Sequence, residues 1–170
     1  KDRQLVCELR QVSLGSTPDY DAISYAWNGE KPTVPVICNG RTLLLTPSLH
    51  EALYTLYRMG QLRAVWADAI CIDQSNDSEK AIQVPLMGHY YTHAKRVLVW
   101  LGTSGLSTTL AMRAIPDLNR QLSRTPDSIV ITNKSLLQHD LPRMEDPVWK
   151  GIGEVLARSW FRRLWIVQEV

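Results

Sequence analysis

The chain has 170 residues, 45% apolar and 21% charged, which suits one ordinary globular core, and its formal charge is only +2. A charge that small, with no tight Lys/Arg run and no stripe of basic and aromatic side chains, excludes a nucleic-acid surface. No apolar run approaches the ~20 residues of a membrane-spanning helix, and the N-terminus lacks the charged-then-apolar layout of a signal peptide, so the chain reads as soluble and cytoplasmic.

Cys7, Cys38 and Cys71 are odd in number, widely spaced and free of any Cys-x-x-Cys pair. That pattern fits reduced thiols in an intracellular compartment and predicts no disulfide. The first residue is Lys1 and the last residues form an apolar helical stretch without a Gly or Pro stop, so residues 1–170 read as one domain cut from the N-terminal part of a longer protein.

In chain order, Gln4–Val12 alternates in part and Ala22–Trp27 follows a Thr17-Pro-Asp19 turn signal, so both are predicted strands. Val34–Cys38 and Arg41–Leu45 flank Asn39-Gly40, the two-residue connection that favours a type I′ turn and hence a hairpin. Thr46 caps a helix with Pro47 at its first position, Leu49, Ala52, Leu53, Leu56 and Tyr57 keep helical spacing, and Gly60 ends it. Arg63–Ile72 is apolar except at Asp68 and is predicted as a strand buried on both faces. Ser75–Ser78 offers caps to a helix over 79–94 that Pro85 and Gly88 must kink or split. Arg96–Leu101 is a further short strand ended by Gly102. The alternation of strands and helices implies parallel β-α-β units, a doubly wound α/β sheet with a β-hairpin insertion. Residues 103–148 read as a variable insertion with one helix, Thr108–Ser123, and Glu145–Pro147 as a break before the last helix.

For chemistry the best lead is the Trp165-x-x-x-Glu169 spacing, which on a helix puts an indole and a carboxylate on one face. Glu169 can equally pair with Arg162 or Arg163. Asp68 inside an apolar run is either a buried carboxylate held by backbone N–H groups or an Arg, or part of a site. Asp73 can cap the turn before Ser75. Trp66, Trp100 and Trp160 read as core, and Cys71 as a packed thiol. His89 and His93 stand four apart without a third ligand, so no metal is predicted. Neither a Gly-x-x-x-x-Gly-Lys phosphate loop nor a Gly-x-Gly-x-x-Gly turn is present, which removes phosphoryl and hydride transfer.

The chain resembles the HET (heterokaryon incompatibility) domain of filamentous fungi through Tyr20-Asp-Ala-Ile-Ser-Tyr-Ala-Trp27, Cys38-Asn-Gly40, Trp66-Ala-Asp-Ala-Ile-Cys-Ile-Asp-Gln74, Gln83-Val84, Leu98-Val-Trp-Leu-Gly102 and Trp160-Phe-Arg-Arg-Leu-Trp-Ile-Val-Gln-Glu169. It departs at Trp27-Asn28-Gly29, where Trp-Gly is usual, at Lys80 in place of Arg, and at Pro85. More remotely, Tyr20–Tyr25 and Trp165-x-x-x-Glu169-Val170 are similar to the opening strand and the Glu-bearing helix of TIR domains, which act in innate immunity.

The resemblances imply a flavodoxin-like (TIR-like) fold and a programmed-cell-death effector of fungal non-self recognition. They also imply an NAD glycohydrolase (NADase) with Glu169 as catalytic residue, self-association, and further domains in the parent protein. NAD would be a substrate, and no cofactor is expected. On that basis Ser24, Tyr25, Trp27, Asp68, Asp73 and Trp165 are the candidate substrate-binding residues, with aromatic rings stacking on adenine or nicotinamide beyond the carboxyl ends of the strands. The competing readings are a non-catalytic oligomerising module and a nucleotide sensor that binds without cleaving.

Overall fold

In the computed structural model, which describes residues 4–15, 18–60, 64–126 and 130–163, the first strand β1 (Val6–Cys7) is much shorter than the alternation from Gln4 to Val12 predicts. It is followed by β2 (Asp21–Tyr25), β3 (Val34–Cys38) and β4 (Arg41–Leu45). The β3–β4 hairpin turns at Asn39 and Gly40 with φ of +50° and +73°, the left-handed pair that a type I′ turn requires. β1 joins the outer side of β3 in parallel. Helix α1 (Pro47–Arg58) begins as its sequence predicts: the Thr46 hydroxyl accepts the Leu49 N–H at 3.3 Å, and the Glu30 carboxylate adds a second cap at the Ser48 N–H, 2.9 Å away.

The run expected to be one strand over 63–72 is corrected. β5 spans only Val65–Trp66, and the chain then turns into the one-turn helix α2 (Asp68–Cys71). A continuous apolar run fits a buried strand and a buried helix equally well, and here the Asp68 carboxylate takes the Ala69 N–H and starts a turn. Asp68 therefore opens a helix rather than interrupting a strand. The next helix is split where Pro85 stands, into α3 (Asp77–Gln83), a 3-10 turn over Val84–Leu86 and α4 (Met87–Thr92). β6 (Arg96–Trp100) follows.

β2 lies between β5 and β6, parallel to both, and all five of its residues are buried. Its side chains alternate between two cores, as the strand period of two demands. Ile23 and Tyr25 pack with Leu45, Leu49 and Val36 on the side of the hairpin and α1. Ala22 packs with Met87 and Tyr91 on the side of α4. The sheet is thus covered on both faces, and fully buried side chains such as Ile23 and Leu49 each contribute about 1.5–3 kcal/mol. Trp66, expected as a core residue, is half-buried and packs against this second core, 5.1 and 5.3 Å from the rings of Tyr90 and Tyr91.

These strands and helices belong to one compact unit, reaching Gly102 and resuming at Arg162; Thr103–Phe161 form another. The second contains α5 (Leu106–Leu122), α6 (Asn133–Gln138) and α7 (Pro147–Leu156). Asp146 caps α7 through the Val148 N–H with Pro147 in the first turn, which explains the break seen at Glu145–Pro147. Leu118, Leu136 and Leu141 form its core with Val148, Trp149 and Ile152. Helix α5 passes close to α7: a Cβ at Gly151 would lie 2.2 Å from the Ser107 carbonyl oxygen. A segment read from sequence as a variable insertion therefore supplies two helices of a packed unit.

Candidate functional site

Two chain segments meet at the carboxyl end of β2. After Tyr25 the backbone passes Ala26 and Trp27 and reverses at Asn28 and Gly29, whose φ values of +53° and +68° with the Glu30 N–H to Trp27 carbonyl bond (2.9 Å) define a tight turn. Asn and Gly are the residues that adopt this conformation cheaply, so the departure from the usual Trp-Gly is an ordered reversal. It leaves Trp27 at the rim, 36% exposed. The second segment is the step from β5 into α2, which delivers Asp68.

The Trp27 indole N–H donates to Oδ2 of Asp68 at 3.1 Å, while Oδ1 accepts the Ala69 N–H at 2.7 Å. The Gln74 side-chain amide donates to the Asp68 carbonyl at 3.0 Å and ties down the loop beyond α2. Burial raises the pKa of Asp68 above the ordinary carboxylate value, a rise partly offset by the Ala69 N–H, the Trp27 indole, the Tyr25 hydroxyl and the charge of Arg163.

Tyr25 completes the cluster. Its ring stacks on Trp27 with centroids 6.4 Å apart and planes 19° from parallel. Its hydroxyl is buried and makes no hydrogen bond of ordinary geometry. The phenol is pushed far above its usual range, first by burial and then by the negative charge of Asp68. Ser24 is wholly buried, and Nη1 of Arg163 lies 3.5 Å from its hydroxyl.

Of the residues expected to bind substrate, the structure thus gathers Tyr25, Trp27 and Asp68, with Ser24 adjoining through Arg163. Asp73 has other partners. Its exposed carboxylate accepts the Ser75 N–H at 2.9 Å and the Ser75 hydroxyl at 2.6 Å, bonds that hold its pKa below the usual value, and its own N–H donates to Glu79. It also does not end a strand, because the strand stops at Trp66. Trp165 and Glu169 lie outside the described residues. Arg163 is the residue that sequence reasoning left out, having assigned it only as an ion-pair partner for Glu169. The available signal was the adjacent Arg162-Arg163 pair in a stretch otherwise rich in Trp and Phe.

The cluster can do three things chemically. Trp27 offers an aromatic face near solvent, Arg163 offers positive charge, and Asp68 offers a carboxylate whose burial favours its protonated form. Among the described residues no group of three or more His, Cys, Asp or Glu is placed to hold a metal ion, and no helix is long and apolar enough to cross a membrane.

The geometry can be set beside known proteins. A family model described as "Heterokaryon incompatibility protein (HET)" matches residues 20–169. "Heterokaryon incompatibility protein 6, OR allele" of Neurospora crassa is 27% identical over 197 aligned positions, covering 97% of this chain and 29% of that protein. The chain therefore spans less than a third of the length of that relative. No solved structure matches it. The matched span takes in β2, the Trp27 turn, α2 and Arg163, and the chain belongs to the heterokaryon incompatibility (HET) family.

Proposed function

We propose that this chain is a cell-death effector module of fungal non-self recognition that hydrolyses NAD, with Glu169 as the catalytic carboxylate and Trp27, Asp68 and Arg163 shaping the substrate pocket. The observation that carries this reading is the buried Asp68 hydrogen-bonded to half-exposed Trp27 at the carboxyl end of the central strand of a parallel sheet. In order of appearance along the chain, that sheet reads second, first, third (β5, β2, β6). A flavodoxin-like sheet begins in this order, and open α/β sheets bind ligands beyond the carboxyl ends of their strands where the order reverses. The arrangement supports the TIR-like reading of the sequence.

The roles follow from charge and shape. The Trp27 face stacks on a base or on nicotinamide, and Arg163 attracts the pyrophosphate. Glu169 follows Arg163 by six residues in sequence, at most ~20 Å of extended chain. Cleavage breaks the bond between ribose C1′ and the nicotinamide nitrogen; nicotinamide leaves with the bonding pair, and positive charge develops on the ribose. A carboxylate beside that charge stabilises it, water adds at C1′, and loss of a proton gives ADP-ribose. Self-association, implied by the same resemblance, brings copies of the site together.

The test is nicotinamide release from NAD by the purified chain at high concentration, with Glu169→Gln and Asp68→Asn beside it. The expected result is turnover that falls at least ~100-fold in Glu169→Gln while the fold is kept. A folded, self-associating protein that releases none is a non-catalytic module, and one that binds NAD without product is a sensor.

A further inference from the structure

Cys7 and Cys38 stand directly opposite each other in the parallel β1–β3 ladder. Register partners project to the same face of a sheet, and this face is identified by its neighbours: Leu5, two residues before Cys7, and Val36, two before Cys38, are both core residues. Cys7 is exposed and Cys38 half-buried, so the pair sits where the core meets solvent. The backbone around it is pinned. The Ile37 N–H donates to the Leu5 carbonyl at 3.0 Å and the Asn39 N–H to the Cys7 carbonyl at 3.2 Å. The Asn39 side chain then grips Leu9 from both sides, accepting its N–H at 2.9 Å and donating to its carbonyl at 3.1 Å. Two thiols are thus held in register by hydrogen bonds that neither of them supplies alone.

We propose that Cys7 and Cys38 form a reversible redox pair, closed to a disulfide by a hydroperoxide. Adjacent strands lie ~4.8 Å apart, inside the ~4.4–6.8 Å range that a disulfide allows between Cα atoms. The ~3.5–4.5 Å it requires between Cβ atoms is tighter than that spacing, so closing the bond draws the strands together, and a bond under such strain is readily reduced again.

One thiolate attacks the peroxide oxygen, forming a sulfenic acid and releasing an alcohol or water. The second thiolate attacks that sulfur and expels hydroxide, which takes up a proton to leave as water. Two electrons pass from the two thiols to the peroxide. The Cys7 thiol is pushed up to about 11, by partial burial of its sulfur and then by Cys38, so the pair is mostly unionised at neutral pH and reacts faster as pH rises. Cys71 on α2 interacts electrostatically with both thiols, which makes it the third thiol to follow in any test of the pair. The ring closed by the bond would run from residue 7 to 38 and enclose β2 and Trp27, the strand and rim of the candidate site.

The experiment is treatment of the purified chain with hydrogen peroxide at about pH 8, where thiolate is more abundant, followed by alkylation, intact mass and peptide mapping. The expected product is lighter by about 2 Da, the two thiol hydrogens, with Cys7 linked to Cys38, and dithiothreitol restores the starting mass. Cys7→Ser and Cys38→Ser must each abolish the link, and Cys71→Ser must keep it. The proposal is overturned by a link through Cys71, by oxygen addition with all three thiols unlinked, or by an unchanged mass. The readout is independent of NAD, so it stands or falls apart from the enzymatic reading.

Discussion

The Trp27 indole and the Asp68 carboxylate, 41 residues apart in sequence, meet at 3.1 Å, and this bond fastens the turn after β2 to the helix after β5. It is a hydrogen bond to a buried carboxylate, the kind that contributes most and is costly to break from one side. Trp27→Phe keeps an aromatic face but removes the donor, and should lower stability by about 1.5–3 kcal/mol. Asp68→Asn leaves one amide oxygen for two donors, the Trp27 indole and the Ala69 N–H, so it should also destabilise. Urea unfolding of both variants decides it, and a Trp27→Phe variant as stable as the parent would contradict this account.

Asp68 and Asp21 should make stability depend on pH in opposite directions. The Asp68 pKa is raised in the folded chain, chiefly by burial, so the folded state holds the proton more tightly than the unfolded state. Its contribution is greatest below the unfolded value of about 4 and is lost as pH rises through the folded pKa. The Asp21 pKa is lowered, first by its hydrogen bonds to Arg96, so its contribution is present above about 4 and is lost as pH falls through the folded pKa. In denaturation followed from acid to neutral pH, Asp68→Asn should make stability rise more steeply with pH, and Asp21→Asn should flatten it.

Tyr25→Phe removes a buried hydroxyl that lies beside the Asp68 carboxylate without a hydrogen bond of ordinary geometry. Deleting such a group recovers its desolvation cost, so the variant should be as stable as the parent or more stable by up to about 1 kcal/mol. A loss above that, measured by thermal or chemical unfolding, would mean that the hydroxyl is bonded in solution.

Gly151→Ala and Gly153→Ala offer a matched pair two residues apart in α7. At Gly151 the new methyl meets the Ser107 carbonyl, backbone that cannot rotate away, and should cost about 1–3 kcal/mol. At Gly153 nothing lies within 4 Å, and the better helix former should stabilise by about 0.5–1 kcal/mol. Changes of the same sign in the two melting curves would contradict the close approach of α5 and α7.

What was legible in the sequence was local chemistry. Thr46 with Pro47 starts a helix, Asn39-Gly40 turns a hairpin, and Pro85 splits a helix, because each acts within one turn of chain. The run from Arg63 to Ile72 misled for the converse reason: its uniform apolarity carries no period, and only the local carboxylate at Asp68 distinguishes helix from strand. The Trp27–Asp68 bond and the approach of Arg163 to Ser24, 139 residues away, are products of topology that no spacing rule reveals. The resemblance pointed to Ser24, Tyr25, Trp27 and Asp68 without saying which of them touch. Residues 103–148 read as an insertion because their apolar positions pack onto α7, which follows them.

The central place of β2 also orders events during synthesis. Each of its residues pairs with one 75 positions later, Asp21 with Arg96 through Tyr25 with Trp100. At roughly 5–20 residues per second, a ribosome needs ~4–15 s to make the missing partner, and throughout that time β2 has an unpaired edge. Parallel pairing at such separation is also intrinsically slow once both strands exist. The nascent chain therefore passes through a window in which the strand that ends fully buried still has one edge without its partner.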